Sequence, residues 1–98
     1  MISEEEKRRA KVAKRYSAKD WRFDAMMALK FLELMTEKQK LKPLLVNRAF
    51  VWLQCSNNKG APKAISDITD LLVTAATEKD FTLLQKAQKQ LLQLPVWE

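Results

Sequence analysis

From Trp21 to Met35, apolar side chains recur at helical spacing around most of a cylinder. Trp21, Ala25, Ala28, Leu29, Leu32 and Met35 make one arc, and Phe23, Met27, Phe31 and Leu34 widen it. Only Arg22, Lys30, Glu33 and Glu37 mark a polar stripe. A helix this apolar is central in its domain or covered by a partner. The stretch from Leu44 to Cys55 repeats the pattern, with Asn47 and Gln54 on the wet side. Short Val- and Ile-containing runs such as 44–46 sit inside these longer periods, which decides against strands. One Gly and three Pro argue against a turn-rich β-sandwich or barrel.

The remaining punctuation divides the chain into five helical segments. Ser3 with Glu6 has the form of a capping box, and Glu4, Glu5 and Glu6 suit the positive end of a helix over 4–16. Ser17 with Asp20 repeats that signal before the second helix, and Pro43 fits the first turn of the third. Residues 56–61, ending against Pro62, read as a loop and the one candidate hinge. A fourth helix follows to about Ala76, and Thr77 and Asp80 compete to cap a fifth, which Pro95 ends. Both show ordinary surface amphipathicity. The expectation is a single all-α domain over 1–98, a bundle of four to five helices. Two helical hairpins, about 20–55 and 62–94, make it up, preceded by a basic helix and followed by a tail, 95–98.

Size and composition exclude several functions. At 98 residues and 47% hydrophobic, the chain has room for one core and is too apolar for extended disorder. No apolar run approaches membrane-spanning length, and the polar residues 3–9 do not open a signal peptide, so a cytoplasmic protein is expected. With no His and one Cys, the usual metal-ligand sets are missing and no imidazole is present to activate Cys55. Cys55 reads as a small buried hydrophobe. Gly60 alone makes no phosphate loop, and Asp67 and Asp70 at i,i+3 read as a solvated face. No enzyme, cofactor, metal or small-molecule substrate is expected.

Two surfaces carry the functional expectations. The first is the apolar excess of the second and third helices. Phe23, Met26, Met27, Phe31 and Phe50, with Trp97 in the tail, are candidate contacts for another protein or a second copy. Met26 falls in the polar stripe, and Phe50 and Val51 flank the next one. The plainer reading makes these residues core. The second surface is basic. Net charge is +6, and residues 1–22 hold eight Lys and Arg against four acids. Lys7, Arg8, Lys11, Lys14 and Arg15 share one side of the first helix, which has a thin apolar side, Val12 and Tyr16, to seat it. With Lys38, Lys40 and Lys42 folded beside it, that side would form a phosphate-backbone clamp. The plainer reading is a solubilising face, and no base-reading motif accompanies the charge.

The leading expectation is therefore a non-catalytic regulator or adaptor working by protein–protein contact. A nucleic-acid-associated protein and a homo-oligomer subunit are the alternatives. Two structural expectations accompany it: an Asp24–Arg48 pair across the first hairpin, and Trp97 tucked back against the bundle.

Overall fold

Three side-chain caps start helices where the sequence places them. In the computed structural model, which describes residues 3–97, Ser3 accepts from the Glu6 N–H and opens α1 (Glu4–Ala13). Asp20 accepts from the Arg22 N–H and opens α2 (Trp21–Glu37). Asp80, rather than Thr77, accepts from the Thr82 and Leu83 N–H groups and opens α5 (Phe81–Leu92). Between them, α3 (Pro43–Asn58) begins on its proline and α4 (Lys63–Glu78) follows Pro62. The described residues contain no strand, and the fold is an all-α bundle. Glu98 of the expected tail lies outside the described residues.

The two hairpins form as expected, and α5 closes back on α2, so α2, α3, α4 and α5 pack in a ring around one core. Met27, Leu32, Met35, Leu53, Leu72, Leu84 and Leu91 are fully buried there. The molecule measures 36 × 34 × 20 Å, and its thin dimension is about two helix diameters. Helix α1 lies outside the ring, on α2.

The sequence reading needs correction at four places. Helix α1 ends at Ala13 and continues as a turn, in which the Tyr16 N–H donates to the Val12 carbonyl. The thin seat is nonetheless effective, because Val12 and Tyr16 are both buried. Helix α3 runs through Ser56 and Asn57, so the connection begins only at Lys59. Those residues look like loop formers, but the Ser56 hydroxyl donates to the Trp21 carbonyl at 2.9 Å. The Asn57 amide donates to the Thr69 hydroxyl at 3.2 Å. Their polarity is spent on neighbouring helices instead of on a turn. Asp24 does not pair with Arg48. It is 2% exposed and pairs with Lys59 at 2.7 Å, while Arg48 reaches Glu5 of α1 at 2.7 Å. Cys55 is half-buried rather than buried.

Candidate functional site

The residues proposed from sequence as a docking face are mostly core. Phe23, Met26, Met27 and Phe31 are all buried. The Phe23 ring meets Trp52 edge-on at 6.1 Å. Helix α1 reaches over this aromatic surface, with the Arg8 guanidinium 5.6 Å from the Phe31 ring centre and Arg9 5.5 Å from that of Trp52. The first hairpin's excess of large side chains is thus covered by the protein's own first helix. Trp97 is half-buried. Its indole N–H donates to the Leu91 carbonyl at 2.8 Å, and its ring lies 6.1 Å from Tyr16 and 6.4 Å from Trp21. The tail is anchored, as expected.

Phe50 alone of the six belongs to an open site. Helices α3 and α4 separate toward the start of α3, leaving a groove of about 650 Å³. Pro43, Val46, Asn47 and Phe50 form one wall, Leu72, Val73, Ala76, Thr77 and Lys79 the other, and Leu41 closes one end. Among the described residues Lys79 is its only charged lining residue, and no acid lines it. Val73, on the groove's α4 wall, is 43% exposed, and on α3 Leu44 is 67% and Val51 49% exposed. A second hollow, about 310 Å³, lies on the other flank of α3 against Glu5, Leu44, Arg48, Val51 and Trp52. Helix α3 is therefore a partly apolar ridge with a depression on each side. The sequence signal was present in part: Val51 adjoins the polar stripe of its helix, and Val73 follows Asp70 by one turn.

The basic surface is less uniform than the sequence implies. Glu4, Lys7, Arg8, Lys11, Lys30, Glu33 and Glu37 line one cleft between α1 and α2, so acids alternate with cations there. The Arg8 guanidinium pairs with Glu4 at 3.1 Å, and Arg15 lies 5.9 Å from the Tyr16 ring centre. Lys14 is exposed just beyond the end of α1, and Lys38 and Lys40 are exposed in the connection after α2. Lys42 is half-buried between Leu41 and Pro43, two residues that line the groove.

Asp20 has a displaced titration. The Arg22 guanidinium chelates its carboxylate, at 2.8 Å in the shortest contact, and holds its pKa below the ordinary aspartate value against the opposing effect of burial. This pair is structural, capping α2 beside Tyr16 and the tail. Asp67 and Asp70 are both exposed. Among the described residues, no three His, Cys, Asp or Glu side chains gather to hold a metal ion, and no helix is long and apolar enough to cross a membrane. Comparisons with protein-family models, with curated proteins and with solved structures found no match to this chain.

Proposed function

We propose that this protein is a small, non-catalytic regulator or adaptor, acting in the cytoplasm by docking another protein on the α3 ridge and the α3–α4 groove. The observation that carries this reading is the exposure of Leu44 and Val51 on the α3 ridge and of Val73 in the open apolar groove beside it. Contiguous exposed apolar surface is costly to leave in water and commonly marks an interaction site. The basic face of α1 is a weaker candidate, because Glu4, Glu33 and Glu37 lie among its cations.

The test places a photo-cross-linking amino acid at Val73 and, as a control, at Gln85, which is exposed on α5. The expected result is one identified protein joined to the Val73 probe, lost when Leu44→Glu is added and retained when Lys7, Lys11 and Lys14 are all changed to Glu. Adducts equal at both positions, or adducts only to nucleic acid or to a second copy, would overturn the reading.

A further inference from the structure

We infer that the α3–α4 groove binds an amphipathic helix of a partner protein that carries acidic residues beside its apolar face. This rests on the docking reading above and adds the chemistry of the occupant.

Shape selects a helix. The walls run from Pro43 to Phe50 on α3 and from Leu72 on α4 to Lys79 just past its end, about 10 Å along each axis. That length holds two turns, the span of anchors at i, i+3 or i+4, and i+7. Both walls are helices whose backbone hydrogen bonds are made internally, and the described residues offer no sheet edge. An extended peptide laid on this apolar floor would leave its own N–H and C=O groups unpaired, whereas a helix satisfies its own.

Charge selects acid. Lys79 sits on the rim, half-buried Lys42 lies in the chain between the lining residues Leu41 and Pro43, and no carboxylate of the described residues lines the groove. The positive end of α3 opens there too, with no acidic residue in its first turn and no side-chain cap from Lys42. At the opposing end of α4 the Ala75 and Ala76 carbonyls accept from the Asp80 and Lys79 N–H groups. A second copy of this chain is the wrong occupant, because like rims would meet and each copy carries a net charge of +6.

The probes are two labelled helical peptides of about 14 residues sharing one Leu face, one flanked by Glu and the other by Lys. Binding is read by fluorescence anisotropy and mapped by backbone amide NMR. The Glu peptide is expected to bind with shifts confined to the groove around Phe50 and Val73, and the Lys peptide roughly tenfold more weakly. In the Lys42→Glu/Lys79→Glu variant, checked for an unchanged circular-dichroism spectrum, that order should reverse. Val73→Asp should weaken both peptides.

Equal affinity for the two peptides would overturn the acidic occupant while leaving the groove a docking site. Binding of neither peptide would also overturn it, and the Val73 cross-link would then decide the docking reading separately. Oleate displacing the Glu peptide at a concentration well below the peptide's own dissociation constant would reassign the groove to an anionic amphiphile. A dimer in sedimentation that Val73→Asp dissolves would reassign it to a second copy.

Discussion

Lys59, one residue beyond the end of α3, reaches back to the buried carboxylate of Asp24 in α2 at 2.7 Å and donates to the Ala18 carbonyl at 2.6 Å. One ammonium therefore ties the connection before α2 to the start of that helix and to the end of α3. Removing only the cation leaves the buried Asp24 carboxyl without its ion-pair partner. Lys59→Met is expected to cost roughly 2–4 kcal/mol. The double change Asp24→Leu/Lys59→Met should cost clearly less than the single one, since it removes the buried charge as well. Chemical denaturation of the three proteins reads both numbers. Equal losses for the single and the double variant would show that the pair stabilises by its attraction rather than by relieving a buried charge.

This pair also shows how far the sequence could be read. Helix number, caps and core stripes follow from local chemistry: Ser3, Asp20 and Asp80 each bond within three residues of themselves. Asp24 and Arg48 were visible as charges on apolar faces, but their partners lie 35 and 43 residues away. Nothing in a helical wheel selects Lys59 over Arg48, because that choice depends on where α1 and the α3–α4 connection dock. The same blindness made Phe23, Met26, Met27 and Phe31 look like a docking face. Their cover includes a charged helix held to the body by Val12, Tyr16, two arginines laid over rings and the Glu5–Arg48 ion pair. The groove was hidden for the opposite reason. Val46 and Leu72 sit at ordinary core positions, and the space beside them exists only where α3 and α4 are brought together.

The tail should behave as part of the fold. Trp97 fills the space between Tyr16 and Trp21 and hydrogen-bonds the Leu91 carbonyl near the end of α5. Because the ring is half-buried, Trp97→Ala is expected to cost about 2 kcal/mol, below the range for a fully buried aromatic. Trp97→Phe, which keeps most of the packing and loses the N–H, should cost about 1 kcal/mol. Deleting residues 95–98 should lower the melting temperature at least as much as Trp97→Ala. A tail deletion that melts with the wild type would mean that Tyr16 and Trp21 repack without it.

Acid should weaken the same corner of the molecule. The pKa of Asp20 is lowered in the folded state by Arg22, so the folded protein binds a proton there less readily than the unfolded chain. Its contribution to stability is complete above the unfolded value. It declines as pH falls below that value and is lost once pH passes through the lowered folded one. Urea midpoints measured from about pH 5 down to pH 2 should therefore fall, and Asp20→Asn should flatten part of that slope while lowering stability at neutral pH. An Asp20→Asn protein with the wild-type slope would assign the acid sensitivity to other carboxylates.

Helix α1 should bind nucleic acid weakly, for reasons of arrangement rather than of net charge. Arg8 is engaged by Glu4 and Phe31, Arg15 lies over Tyr16, and Glu33 and Glu37 line the same cleft as Lys7 and Lys11. That leaves Lys7, Lys11 and Lys14 as the side chains of this face best able to reach a phosphate backbone, two of them beside acids. Three contacts to duplex DNA would give log K against log salt a slope no steeper than about −2.7. Binding of random DNA and RNA oligomers, measured between low and physiological salt, should show at most that slope. It should disappear when Lys7, Lys11 and Lys14 are replaced by Glu. A much steeper slope abolished by those replacements would mean that α1 binds phosphates as a released helix, since the docked one does not present enough cations. The aromatic surface of Phe23, Phe31 and Trp52 that it now covers would then be exposed at the same time.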